Sequence, residues 1–208
     1  DKGAGVKHDG IILSEADIQI ETHEGDVELG NTKNNQNENY AKVHAEGNFT
    51  VKGGKHVIIG KEVKANKAVD IQAQETTVRQ NAKLTAKTSA KITASKSVNL
   101  EDNAKLIANE LSTTTDKLTN KGSIYGKKVT LGADNLVNSK EIYASSELDI
   151  KTKGRDLLLE DGVNQPLSFL KGASLLAPGF VNTGLIHSNG NAKLIFKDDT
   201  SFVTEGNN

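Results

Sequence analysis

Three acidic pairs, Glu101-Asp102, Glu160-Asp161 and Asp198-Asp199, are the groups in this chain best suited to acid–base chemistry. Two carboxyl groups facing one cleft can protonate a leaving group and activate a water, as glycan-cleaving sites do. A polysaccharide lyase would add Ca²⁺ or a nearby cation. Arg155, five residues before Glu160, is the one arginine near such a pair, and each pair falls where a turn is expected. They read as solvated turn carboxylates. His8, His23, His44, His56 and His187 follow no metal-ligand spacing, although His44 and His56 stand within one repeat of each other. With no Cys, zinc ribbons, iron–sulfur clusters, disulfides and thiol nucleophiles are excluded. Gly53-Gly54 is a turn, since no helix signal follows it to cradle a phosphate. No catalytic, cofactor-binding or metal-binding residue is assigned, and the expectation is that the chain is not an enzyme.

The elements that would carry any site are short and regular. Triplets with apolar first and third positions recur: Ile18-Gln-Ile20, Val27-Glu-Leu29, Phe49-Thr-Val51, Val63-Lys-Ala65, Leu84-Thr-Ala86, Ile92-Thr-Ala94, Leu106-Ile-Ala108, Val129-Thr-Leu131 and Leu148-Asp-Ile150. A period of two means one buried face on a short strand. Such strands are too short to be stable alone. Taking every third start gives 63 to 84, 78 to 98 and 84 to 106, or 21, 20 and 22 residues. Three short strands per 21 residues suit one triangular coil, which buries its inner face only by stacking on its neighbours. The expected fold is all-β: a right-handed parallel β-helix of about ten coils of roughly 21 residues. An antiparallel sandwich would have longer strands and more Asn-Gly hairpins, and Asn-Gly occurs once, at Asn189-Gly190. The six-residue spacing of Val57, Val63 and Val69 does not continue, which excludes a hexapeptide repeat.

One β-helix segment over 1–208 is expected, in two styles. Residues 1–115 carry bare triplets. Residues 116–208 carry a longer unit, Leu118-Thr-Asn-Lys-Gly-Ser-Ile124-Tyr, Leu136-Val-Asn-Ser-Lys-Glu-Ile142-Tyr and Phe180-Val-Asn-Thr-Gly-Leu-Ile186-His. Asn120, Asn138 and Asn182 are expected to bond to their own turns and to each other. The 44 residues from Asn138 to Asn182 are taken as close to two coils. Two stretches break the rhythm. The polar loop 30–42 holds Asn31, Asn35, Asn37 and Tyr40, and the insertion 161–179 holds both prolines with Phe169 and Leu170. Insertions at solenoid turns can carry binding, so these six residues are the candidate contact positions.

Composition fits a rod. Leu, Ile, Val and Phe number 52 of 208 residues, but Trp and Met are absent and Phe plus Tyr total eight, so the core is thin and aliphatic. A net charge of −1, with 24 of the 26 basic residues being Lys, offers no footprint for nucleic acid and few guanidinium forks. No apolar run reaches the roughly 18 residues of a membrane span. The chain begins at Asp1, with no initiator Met or signal peptide, and an internal piece of a longer protein is expected.

The unit beginning Leu118-Thr-Asn-Lys-Gly-Ser-Ile-Tyr resembles the haemagglutinin repeat of filamentous-haemagglutinin-type exoproteins. The unit Ala45-Glu-Gly-Asn-Phe-Thr-Val-Lys-Gly-Gly resembles the second repeat class of the same proteins, and contact-dependent growth-inhibition effectors are similar in both. The resemblance covers roughly residues 43–159 and 180–196. It implies a long secreted rod at the bacterial cell surface, exported by an outer-membrane partner transporter in two-partner secretion. It further implies adhesion, or contact with a bacterial or host cell-surface receptor that is a protein or a glycan. The Asn-Pro-Asn motif of the family's secretion domain does not occur here. The alternative is a carbohydrate-active β-helix enzyme, which would need a groove lined by three or more carboxylates.

Overall fold

In a computed structural model, residues 5–30, 42–152, 174–177, 180–196 and 203–205 are described. The first coil comprises β1 (Val6–His8), β2 (Ile11–Ser14) and β3 (Ile18–Glu21), and the second β4 (Val27–Leu29), β5 (Lys42–Ala45) and β6 (Phe49–Lys52). β7 (His56–Ile59), β8 (Glu62–Ala65), β9 (Val69–Val78), β10 (Lys83–Ala86) and β11 (Ser89–Leu100) continue the winding. β12 (Lys105–Asn120), β13 (Ser123–Asn138) and β14 (Glu141–Thr152) run around corners without a break. After them come β15 (Ser174–Ala177), β16 (Phe180–Asn182), β17 (Leu185–Ser188), β18 (Asn191–Phe196) and β19 (Val203–Glu205).

Register defines three faces, each a parallel ladder. Face A stacks Val6, Val27, Val57, Thr76, Val98, Leu118, Leu136 and Phe180. Face B stacks Ile12, Val43, Val63, Leu84, Leu106, Ile124, Ile142 and Ile186. Face C stacks Ile18, Phe49, Val69, Ala90, Leu111, Val129, Leu148 and Ala192. The parallel β-helix read from the triplets is therefore the fold. Val57, Val63 and Val69 are six apart because they begin the three sides of one coil.

The expected ten coils are too many. The described residues give eight rungs per face, about 34 Å of rod at the usual strand spacing. The difference lies in the two interruptions. Leu29 pairs with Ile59, 30 residues on, and Asn138 pairs directly with Asn182. The 44-residue step is thus one rung with an excursion, not two coils. The triplet positions 157–159 and 167–169 lie outside the described residues.

The coils just before and just after residue 115 differ at the A-to-B corner. Upstream, Val78 to Leu84 and Leu100 to Leu106 each take six residues, while Ile59 to Val63 takes four. The six-residue corners turn through left-handed Asn81 (φ 61°) and Asn103 (φ 59°), a conformation asparagine tolerates. Downstream, Asn120 to Ile124 and Asn138 to Ile142 take four. The coil accordingly shortens from 20 residues between Val98 and Leu118 to 18 between Leu118 and Leu136. Gly122 sits in the corner between Asn120 and Ile124, where a Cβ would lie 2.2 Å from the Ala104 carbonyl oxygen. β15 departs from the parallel rule: it pairs antiparallel with β16 and with β19.

Candidate functional site

Inside the tight corners, one column of the core changes chemistry. Leu29, Ile59, Val78 and Leu100 occupy successive rungs, and Asn120, Asn138 and Asn182 continue the same column, all three fully buried. Asn120 Nδ2 donates to Asn138 Oδ1 at 2.7 Å, and Asn138 Nδ2 donates to Asn182 Oδ1 at 2.6 Å. Asn120 Oδ1 accepts from the Gly122 N–H at 3.1 Å, and Asn182 Nδ2 donates to the Gly184 carbonyl at 3.1 Å. The amides thus bond both to each other and to the corner backbone at Gly122 and Gly184. Their role is structural, as the repeat suggested.

Outside those corners, the same repeat builds an aromatic column on face B. Tyr125 and Tyr143 are cross-strand partners with ring centroids 6.2 Å apart, and Tyr143 stacks on His187 at 5.3 Å with planes 3° apart. The Tyr125 hydroxyl donates to the Glu141 carboxylate, which pushes the phenol pKa up. Asn189 Nδ2 donates to the Tyr143 hydroxyl at 2.7 Å, and Asn189 Oδ1 lies 2.6 Å from His187 Nε2.

Beside this column runs an open cleft of about 420 Å³, within the size range of ligand sites. Ala86, Ala108 and Gly126, the small residues of the face B triplets, form its floor. Ile107, Tyr125 and Tyr143 border one side, and Lys87, Asn109, Lys127 and Ser145 the other. The latter four are exposed, and among the described residues no carboxylate lines the cleft. The apolar-x-Asn-x-x-x-Ile-aromatic unit already displays Tyr125, Tyr143 and His187 in the sequence. What it cannot display is that the excursion between rungs leaves Tyr143 and His187 as direct neighbours.

The candidate contact residues Asn31, Asn35, Asn37, Tyr40, Phe169 and Leu170 lie outside the described residues, as do Glu160-Asp161 and Asp198-Asp199. The roots of the two interruptions are described. The first leaves after β4 at the A-to-B corner, and the second leaves after β14 at the C-to-A corner, so both border face A. At the first root, Glu28 is a buried carboxylate in the middle of a triplet, a position otherwise turned outward. It pairs with Arg79 at 2.8 Å and more loosely with Lys7 at 3.9 Å. Gly30, two residues on, has φ +82°.

The remaining titratable groups do not converge. Glu101 accepts from the Gln80 N–H at 2.9 Å across one rung, and Asp102 is exposed. His44 lies beside Glu46 at 3.1 Å on face B, while His56 bonds to Thr77 at 2.9 Å beside face A. Asp17 accepts the Asn48 backbone N–H at 2.7 Å and its side-chain amide at 3.3 Å, and these bonds lower its pKa. Among the described residues no group of three or more His, Asp or Glu is placed to hold a metal, and no helix is long and apolar enough to cross a membrane.

Three stacked ladders with a groove on one side define a β-solenoid, a repetitive shaft with chemistry on its outer surface. Over 223 aligned residues the chain is 40% identical to the Histophilus somni (strain 2336) protein named Protein adenylyltransferase and cysteine protease IbpA. The match takes in 100% of this chain and 5% of that relative, so the chain spans about one twentieth of its length. The relative's name corrects the expectation of a protein without enzymatic activity, because that protein is named for two activities. Both are said of the whole relative, of which the matched span is a small part. No protein-family description matches the chain, and no solved structure does.

Proposed function

We propose that this chain is a shaft segment of a secreted bacterial surface exoprotein of the filamentous-haemagglutinin type, one continuous solenoid over 1–208. The stack of eight rungs on all three faces supports this reading most directly. A ladder in which every coil hydrogen-bonds to the next resists bending, and its excursions leave without breaking it. A match to a twentieth of a far longer relative agrees with a piece of an extended protein. The segment carries adhesion or target-cell contact, with Asn31, Asn35, Asn37, Tyr40, Phe169 and Leu170 as contact residues for a protein or glycan receptor. Both excursions border face A, which supports presentation from one side of the rod. An outer-membrane partner transporter exports the full-length protein.

Surface labelling tests this. Antibodies raised against the folded segment should bind intact cells of the producing bacterium, and deleting the gene of the partner transporter should abolish that labelling. Labelling that appears only after lysis, or that survives loss of the transporter, would overturn the assignment.

A further inference from the structure

We propose that the cleft beside Tyr125 and Tyr143 binds a carboxylated oligosaccharide laid along the rod, an inference that rests on the surface-contact reading above. Its shape comes from the repeat. Ala86, Ala108, Gly126 and the backbone around them form a floor that crosses four rungs, from β10 to the start of β14. Three rung spacings make this about 14 Å long, which suits several linked sugar rings better than one.

The walls supply what a saccharide needs. Tyr143 is held on one side by its stack on His187 and at its hydroxyl by Asn189. Tyr125 is held by Glu141. Both rings are therefore immobilised before any ligand arrives, so less side-chain entropy is lost on binding. Their carbon edges and Ile107 offer an apolar surface to the C–H faces of pyranose rings, and Asn109 and Ser145 offer hydrogen bonds to hydroxyl groups.

The charge selects the ligand. Lys87 and Lys127 line the cleft and, among the described residues, neither stands in an ion pair, whereas the adjacent Lys128 is paired with Glu147 at 3.3 Å. The nearby Glu141 is engaged by Tyr125. Two exposed ammonium groups, with no lining carboxylate among the described residues, favour an anion. An ammonium group pairs with a carboxylate as a point charge and needs no planar fork, so the carboxylates of a uronic-acid chain suit these two lysines. A peptide fits less well: each rung beneath the cleft is already paired above and below, so no free strand edge can take up a peptide backbone.

The test is titration of the folded chain with an α-1,4-linked galacturonate hexamer, followed by NMR amide shifts. Maltohexaose and hexaglutamate serve as the neutral and peptidic controls. The expected result is saturable shifting around residues 86–87, 107–109, 125–127 and 143–145. Affinity should fall at least tenfold in the Lys87→Ala/Lys127→Ala double variant, whose side chains are exposed and not needed for folding. Maltohexaose should bind at least tenfold more weakly, and hexaglutamate should leave these amides unmoved. The inference is overturned if the galacturonate hexamer does not bind, binds the double variant equally well, or is matched by either control. Such a failure with surface labelling intact removes the groove assignment alone. Binding in a segment never labelled on intact cells removes the surface reading alone.

Discussion

Replacing Asn138 with leucine is the sharpest test of how the two styles of coil are joined. The rung positions of Leu29, Ile59, Val78 and Leu100 in the same column show that an aliphatic side chain suits the space. A void is therefore not what the substitution creates. Its cost comes from hydrogen bonds: Asn138 accepts from Asn120 and donates to Asn182, and both partners are fully buried. Leucine strands one donor and one acceptor, at about 1–3 kcal/mol each, less a gain of about 1 kcal/mol from the added apolar burial. Asn138→Leu should thus destabilise by roughly 1–5 kcal/mol. Asn120→Leu and Asn182→Leu each break one amide–amide bond and one bond to the corner backbone, at the Gly122 N–H and the Gly184 carbonyl, and should cost a similar amount. The three single losses count both amide–amide bonds twice, so the triple leucine variant should cost less than their sum by about 2–4 kcal/mol. Urea unfolding followed by far-ultraviolet circular dichroism and by tyrosine emission measures all four variants, and Tyr125 and Tyr143 report on the coils concerned. An Asn138→Leu variant within about 0.5 kcal/mol of the parent, or strictly additive losses, would exclude the amide column as a source of stability.

Other expectations follow from single positions. Ile124→Asp buries an unpaired charge in a narrow core and should abolish cooperative folding or melt the coils around it; an unchanged melting temperature would count against the assignment of that face. Among the described residues the Thr113 hydroxyl is buried without a partner between Ile92 and Leu131, so Thr113→Val should be neutral or stabilise by about 1 kcal/mol in the same urea assay. The lowered pKa of Asp17 means its bonds to Asn48 stabilise the fold above the ordinary aspartate pKa of about 3.9 and are lost as pH falls through the lower, folded value. Asp17→Asn should flatten that acid limb of a melting-temperature profile, and an identical limb in the variant would exclude Asp17 as its source. Deleting residues 31–39 should leave the circular dichroism spectrum and its transition intact, because Val27–Leu29 and Lys42–Ala45 keep their own ladder partners; loss of folding would make that stretch structural.

Much of this rod can be read from residues alone. Period-two triplets such as Val63-Lys-Ala65 and Leu84-Thr-Ala86 demand a half-buried short strand, and their 21-residue recurrence demands a partner one coil away. The asparagine corners were legible for the same reason, since a buried amide repeated at one turn position needs amide partners. A polar run such as 30–40 has no apolar residue to place inside, which sets it apart from the triplets in the sequence itself. Tertiary structure decided everything that depends on which rung lies next to which. Asn138 and Asn182 are 44 residues apart yet adjacent, and only the ladder tells one coil with an excursion from two coils. The same adjacency stacks Tyr143 on His187, and the rung-by-rung floor of Ala86, Ala108 and Gly126 opens the cleft beside Lys87 and Lys127. Glu28 looked like any outward mid-triplet residue, and only the approach of Arg79 from two rungs away explains how its charge is buried. Periodicity is a property of neighbours along the chain, whereas a groove, a stack and an ion pair are properties of neighbours across coils, set by how many residues each coil spends on its corners.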